Sequence, residues 1–225
     1  MNFQALPKNM KNKYTKEYLG LLEKRRFSLC AKRVFDVAVS LLILLVLSPL
    51  LLLLALAVKL DSRGPVFYRQ VRVGRYNQDF KIFKFRTMVQ DADKIGPPLT
   101  VGDDPRVTRV GHLIRKLRLD EFSQLLNVLG GSMSLVGPRP EVRKYVDVYT
   151  PKYMATLLIR PGITATSSIA FKDEDSLLNA AEDPEKVYVE QILPPKMAYN
   201  LAYMKKISLL NDIKIMFQTV GAVLK

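Results

Sequence analysis

The chain has 225 residues, with 35 Lys and Arg against 21 Asp and Glu, giving a formal charge of +14. Hydrophobic residues make up 48%, enough to build a core, so disorder over most of the length is excluded. With one cysteine, Cys30, and one histidine, His112, an intrachain disulfide and a His- or Cys-rich zinc site are excluded as well.

The positive charge is unevenly placed. Residues 1–33 hold nine basic and two acidic residues, residues 59–86 hold eight and two, and between them Asp36 is the one charge. The remainder is nearly balanced, 18 against 16. A basic excess on both sides of an apolar run suits a chain held against an anionic membrane, where each nearby Lys or Arg contributes about 1 kcal/mol. A nucleic-acid binder would concentrate that charge on a globular face instead.

Residues 1–31 read as a basic extension, amphipathic or loosely ordered. Residues 37–58, VAVSLLILLVLSPLLLLLALAV, are 22 uncharged residues, about 33 Å of helix against a hydrocarbon core of about 30 Å. The run begins too late and is too long for a cleavable signal peptide. Ser48-Pro49 interrupts it near the middle, where proline removes a helical hydrogen bond. A straight span would put one basic flank on the wrong side of the membrane. The residues therefore admit a Pro-kinked span or a re-entrant hairpin, with Ser48 supplying a partner for backbone freed at the bend. Lys32, Arg33 and Asp36 read as an interface anchor, with Arg33 paired to Asp36.

Residues 66–86 alternate apolar and polar around Gly74-Arg75-Tyr76-Asn77 and predict a β-hairpin. A loop follows over 90–106, marked by Gly96-Pro97-Pro98 and Gly102-Asp103-Asp104-Pro105. Leu113, Leu117, Leu125 and Leu129 predict a helix over 107–129, ended by Gly130-Gly131. Residues 141–158 read as helix, 173–185 as an exposed acidic stretch, and 195–224 as one or two amphipathic helices.

The chemistry centres on Arg-Lys-Leu-Arg-Leu-Asp-Glu-Phe, residues 115–122. One carboxylate of Asp120-Glu121 can attack phosphorus, and the other can hold Mg²⁺, which prefers oxygen ligands and bridges to phosphates. Arg115 suits bidentate phosphate binding. The plain alternative is a Lys116–Asp120 i,i+4 pair on a solvated helix face. In Gly137-Pro138-Arg139-Pro140 a rigid turn holds Arg139 ready for an anion. Lys84 and Arg86 face either the same site or phospholipid. His112 and Cys30 have no visible chemical partner.

These residues, taken together, resemble a known family. Lys32-Arg33-x-Phe35-Asp36, the Ser48-Pro49 break, Gly64-Pro65-Val66-Phe67 and Lys84-Phe85-Arg86-Thr87-Met88 come first. Arg106-Val107-Thr108-Arg109-Val110-Gly111, Leu119-Asp120-Glu121, Gln124-Leu125-x-Asn127-Val128, 133–141 and Arg160-Pro161-Gly162-Ile163-Thr164 follow in order. The pattern is similar to the bacterial sugar transferases, the small monotopic phosphoglycosyl transferases.

The resemblance implies an α+β fold, mostly helical, with a small β-hairpin and a re-entrant membrane helix-break-helix. After the basic extension over 1–31, which is atypical of the smallest members, it implies a membrane hairpin over 32–60 and a cytoplasmic catalytic domain over 61–225 with C-terminal amphipathic helices. It implies a UDP-sugar donor, an undecaprenyl or other polyprenyl phosphate acceptor and Mg²⁺, at the cytoplasmic face of the bacterial inner membrane. Asp120 would be the nucleophile and Glu121 the Mg²⁺ ligand alongside it, with Arg115, Arg139, Lys84 and Arg86 on phosphate or nucleotide. Nucleic acid is not an expected partner, and a homo-oligomer is compatible with the pattern. The competing reading is a non-catalytic module binding anionic lipid or nucleic acid. An inactive relative is a third.

The chain departs from many relatives at Ser132, where an aspartate is common, at Phe122-Ser123, where Leu-Pro is common, and over 163–169, where a tryptophan is common. The last departure bears on sugar choice, so the donor sugar is left open, as are the polyprenol length and the pathway.

Overall fold

The computed structural model describes residues 2–95 and 104–223. The loop expected at Gly96-Pro97-Pro98 and Gly102-Asp103 lies outside the described residues. The architecture is mainly helical with six short strands, the α+β class expected.

The N-terminal extension is folded. Asn12 caps helix α1 (Lys13–Lys24), its side chain accepting from the Thr15 amide at 3.0 Å. Tyr18, Leu19 and Leu22 lie on one face of α1 and join Leu6 and Met10 in the main core. Of the two readings of residues 1–31, the amphipathic one holds. The sequence spreads its lysines over the solvent face and so hides how apolar the inner face is.

Helix α2 (Arg26–Asp61) carries the apolar run as a single element with Pro49 inside it. Proline at 49 leaves the carbonyl of Leu45 without its helical amide. The Ser48 hydroxyl donates to that carbonyl at 2.8 Å, the partner expected of it. The polarity of α2 is inverted relative to a helix in a water-soluble protein. Lys32, Asp36 and Ser40, spaced by four, are buried against the protein, whereas Leu42, Leu45, Val46, Leu52 and Leu53 are each more than 60% exposed. Both halves of α2 lean on the same body. Phe35, Val39, Ile43 and Leu44 pack on the main core. Leu51, Leu54, Ala55 and Val58 pack on Phe85, Ile114 and Leu119.

The hairpin forms in one register. β1 (Phe67–Tyr68) pairs antiparallel with β4 (Lys84–Phe85), and β2 (Val71–Val73) with β3 (Asp79–Lys81). Tyr76 and Asn77 take left-handed conformations at the turn. Helix α3 (Ala92–Ile95) precedes the gap in the described chain.

The helix expected over 107–129 is three pieces. Helix α4 (Arg109–Lys116) is capped by the Thr108 hydroxyl. Arg118 then turns left-handed at φ 54°, a 3-10 turn runs from Leu119 to Gln124, and α5 (Leu125–Leu129) closes the segment. Leucine spacing carries no signal for a single left-handed residue, and the break falls two residues before Asp120.

Strand β5 (Ser134–Val136) pairs in parallel with β6 (Gly162–Thr164), a pairing the local pattern does not announce. A Cβ on Gly162 would lie 2.1 Å from the Gly137 nitrogen, so only glycine permits this approach. The helix expected over 141–158 shortens to α6 (Arg143–Val146) and a 3-10 segment, Tyr153–Leu158. Helices α7 (Thr166–Ala170), α8 (Glu174–Asn179) and α9 (Pro184–Val187) lead to α10 (Leu193–Lys205) and α11 (Leu209–Val223), the two C-terminal helices expected.

Candidate active site

The hairpin and the 119–129 segment are fastened by side chains that take the place of strand partners. Between its two ladders the hairpin leaves Phe83 unpaired. The Phe83 amide donates to Asn127 Oδ1 at 2.7 Å, and Asn127 Nδ2 donates to the Lys81 carbonyl at 3.0 Å. The Ser123 hydroxyl donates to the Phe83 carbonyl at 3.1 Å. These bonds fix the 3-10 turn against β4, where Asp120 meets Lys84. The sequence names Asn127 within a motif and Ser123 as a departure but assigns neither a role. An amide within the apolar stretch Leu-Leu-Asn-Val-Leu is the signal that could have revealed the first.

Asp120 Oδ2 lies 3.0 Å from Lys84 Nζ. The Lys116–Asp120 helix pair is not formed, because the chain breaks at Arg118. Glu121 is held by Arg139, with Nη2 to Oε1 at 2.5 Å and Nη1 to Oε2 at 3.3 Å, and Lys84 Nζ stands 3.5 Å from Oε1. Burial opposes ionisation of Glu121. The Arg139 and Lys84 charges outweigh it and hold the carboxyl well below the usual range. The Glu121 carboxylate in turn raises the Arg139 guanidinium. Asp120, Glu121, Lys84 and Arg139 thus converge from three elements far apart in sequence.

Behind Arg139 lies a buried polar support. The Tyr188 hydroxyl donates to Glu141 at 2.6 Å, and Lys196 Nζ donates to Glu174 at 2.8 Å and to the Tyr188 oxygen at 3.3 Å. Arg72 donates to the Pro140 carbonyl at 3.2 Å.

The remaining expected residues lie elsewhere. Arg115 Nε donates to the Thr87 hydroxyl at 2.9 Å, and the Thr87 carbonyl accepts from the Thr108 amide. Arg115 therefore joins α4 to the strand end after β4. Arg86 is turned toward the end of α2, where Nη2 donates to the carbonyls of Val58 and Ser62 and to the Ser62 hydroxyl. Its Nη1 occupies the space over Gly64, which has φ +126° and would place a Cβ 2.1 Å away. No contact among the described residues joins Arg86 to Asp120. The anchor also differs in its pairing. Asp36 meets Lys32 at 3.6 Å, at i,i+4, and accepts from the Ser134 hydroxyl at 2.6 Å. Arg33 instead donates to the carbonyls of Leu129 and Met133. Four residues of helix return a side chain to the same face more closely than three.

Ser132 is bound to Asn127 through its hydroxyl. The 163–169 segment packs inward, with Thr164 against Thr219 at 2.6 Å and Ser167 donating to Asn200 at 2.9 Å. His112 and Cys30 are exposed.

Among the described residues no group of three or more His, Cys, Asp or Glu gathers. The protein's own donors at this site are the two carboxylates, Asp120 and Glu121. Mg²⁺ habitually takes one or two carboxylates and fills its shell with water and substrate phosphates, so the donor set fits it. Glu121 would have to share its oxygens with Arg139.

A family model described as bacterial sugar transferase matches residues 27–225. The chain is 39% identical over 196 residues to a UDP-N-acetylgalactosamine-undecaprenyl-phosphate N-acetylgalactosaminephosphotransferase of Aeromonas hydrophila, covering 86% of this chain and 43% of that protein. It is 41% identical over 199 residues to a UDP-glucose:undecaprenyl-phosphate glucose-1-phosphate transferase of Caulobacter vibrioides, covering 86% and 69%. It is 36% identical over 208 residues to an exopolysaccharide production protein of Sinorhizobium fredii, covering 86% and 85%. The chain spans less than half the length of some curated relatives, 43% of the Aeromonas protein and 38% of a Komagataeibacter xylinus glucose phosphotransferase.

Proposed function

Because the chain belongs to the bacterial sugar transferase family, we propose that it moves a sugar 1-phosphate from a UDP-sugar to undecaprenyl phosphate. The observation that carries this reading is the pairing of Asp120 with Lys84 beside the Glu121–Arg139 pair. An aspartate beside two cations suits attack on a phosphorus atom whose oxygens those cations neutralise.

In the first step an Asp120 carboxylate oxygen forms a bond to the β-phosphorus. The bond from that phosphorus to the bridging oxygen breaks, and UMP leaves with the electron pair. In the second step an oxygen of undecaprenyl phosphate attacks the same phosphorus. The Asp120–phosphorus bond breaks, and the carboxylate is regenerated with a lipid diphosphosugar as product. Lys84 faces the incoming phosphoryl oxygens, and Arg139, its fork fixed on Glu121, adds positive charge beside them. Asp120 and Glu121 would hold Mg²⁺, which would supply charge neutralisation at the transferring phosphoryl group.

The acceptor is a membrane lipid, and α2 supplies the membrane contact. We propose that α2 enters one leaflet from the cytoplasmic side and returns, bending at Pro49. The exposed leucines, the Ser48–Leu45 hydrogen bond, the two basic flanks and the packing of both halves on one body support this. Cysteines placed at Gly20 and Gln70 would both react with an impermeant label from the cytoplasmic side only. Labelling from opposite sides would mean a full span.

The reaction is tested with Asp120→Asn. The wild-type chain, given Mg²⁺ and a panel of UDP-sugars, should release UMP and carry a phosphosugar adduct seen by mass spectrometry. The variant should do neither, and an adduct on Asp120→Asn would remove Asp120 as nucleophile.

A further inference from the structure

We propose that the cleft between Arg33, Arg75 and Arg160 is a binding site for a phosphate group, separate from the Asp120 site. The cleft has a volume of about 60 Å³ and is lined by these three arginines with Lys32, Asp36 and Ser134 among others. None of Asp120, Glu121, Lys84, Arg115 or Arg139 lines it.

Each arginine is fixed by one edge. Arg160 Nε donates to the Gly131 carbonyl at 2.7 Å, Arg75 Nε to the Leu158 carbonyl at 3.0 Å, and Arg33 reaches the Leu129 and Met133 carbonyls at 3.3 and 3.5 Å. The Nη atoms of Arg75 and Arg160 have no hydrogen-bond partner among the described residues. The arginines are therefore pre-oriented while their outer forks stay available.

The charge is unbalanced. Among the described lining residues Asp36 is the one acidic group, against four cationic side chains; Lys32 is paired as well with the buried Asp212 outside the lining, which leaves the three arginines as the excess. Asp36 is already engaged by Lys32, the Ser134 hydroxyl and the Leu135 amide. Burial, and beyond it the charge of Arg160, lower the Arg75 guanidinium from its ordinary value. Like charges gathered around a cleft are relieved by a bound anion. A carboxylate satisfies one guanidinium fork, whereas the oxygens of a phosphate can meet several.

Arg33 lies four residues before Val37, where the apolar run begins. If α2 enters the bilayer as proposed, a phosphate here sits at headgroup depth. An anionic phospholipid headgroup and free phosphate share the chemistry, and the test separates them. The phosphate site itself does not rest on the transfer reaction.

The full chain in detergent is compared with Arg75→Gln/Arg160→Gln and with Lys16→Gln/Lys24→Gln, which removes equal charge from exposed positions. The probes are inorganic phosphate, followed by calorimetry, and phosphatidylcholine vesicles with and without phosphatidylglycerol at fixed salt. The arginine pair should weaken phosphate binding about tenfold, the loss expected for a charged hydrogen-bonded contact. The lysine pair should change it less than twofold. A parallel loss of the preference for phosphatidylglycerol assigns the site to a headgroup, and an unchanged preference assigns it to soluble phosphate. Equal losses in the two variants would mean diffuse attraction and overturn the site, as would no loss with either probe. Should the glutamine pair fail to fold, Arg75→Lys/Arg160→Lys keeps the charge and loses the forks. The site stands only if phosphate binding falls in that variant too.

Discussion

Replacing Lys32 by methionine tests what holds α2 to the rest of the molecule. Lys32 Nζ lies 2.6 Å from Asp212 Oδ2 on α11 and 3.6 Å from Asp36 Oδ1 on its own helix, and all three residues are buried. Methionine fills similar space and leaves two buried carboxylates without their cation. Breaking a buried pair in this way costs about 3–5 kcal/mol. The hydrogen bonds from Tyr203 to Asp212 at 2.8 Å and from Ser134 to Asp36 persist, so the lower end of that range is expected. The loss depends on pH with a definite sign. Burial raises the Asp212 carboxyl, and Lys32 is the main opposing influence. Without Lys32 the folded carboxyl rises further above its unfolded value of about 4. As pH climbs above that value the unfolded chain releases its proton first, so stability falls until the folded carboxyl ionises too. Unfolding followed in detergent should therefore show a larger deficit at pH 7.5 than at pH 5. Lys32→Met/Asp212→Asn should recover at least half of it. A single variant within 1 kcal/mol of wild type at both pH values would refute the reasoning, and so would a double variant that recovers nothing.

Two further substitutions probe the site and its support. Arg139→Lys keeps a charge but loses the two-point contact with Glu121, and kcat/KM for UMP release should fall about tenfold or more. A change under twofold would mean that the fork is dispensable. Asn127→Ala leaves the Phe83 amide and Lys81 carbonyl without their partner. Stability should fall by about 1–3 kcal/mol, and turnover should fall with it as Lys84 shifts. Unfolding curves and UMP release measured on one preparation check both.

Local signals were legible where local chemistry decides the structure. The hairpin follows from alternation around Gly74, and the Ser48 role follows from the one carbonyl that Pro49 strands. Local signals failed where a distant partner decides. Leucine spacing ran through Arg118, although its left-handed turn separates Asp120 from Lys116 and presents it to Lys84. The β5–β6 pairing joins residues 28 apart, beside the close contact of Gly137 with Gly162. Arg86 looked like a strand neighbour of Lys84 facing the same anion, yet the carbonyls ending α2 claim it. The sequence pairs Arg33 with Asp36, whereas the helix brings Lys32 to that carboxylate. The Asp120-Glu121 pair was legible as a candidate for chemistry, whereas which cations stand beside it, Lys84 and Arg139, is set by the fold.

The apolar helix and the reacting carboxylate are physically adjacent. Leu119 packs on the same buried cluster, Val58, Phe85 and Ile114, as Leu51, Leu54 and Ala55 of α2, and the next residue is Asp120. Arg86 ties the end of α2 to the strand that carries Lys84, and the Asp61 carboxylate accepts from the Val110 amide at 2.9 Å. One packed cluster thus links the helix of outward-facing leucines to Asp120. A lipid phosphate must stay at the membrane surface while a nucleotide sugar arrives from water. On the proposed mechanism, Asp120 follows directly on a residue of the cluster that holds the end of α2, so it can meet both substrates without a large movement, because the anchor and the site share one packed cluster rather than a linker.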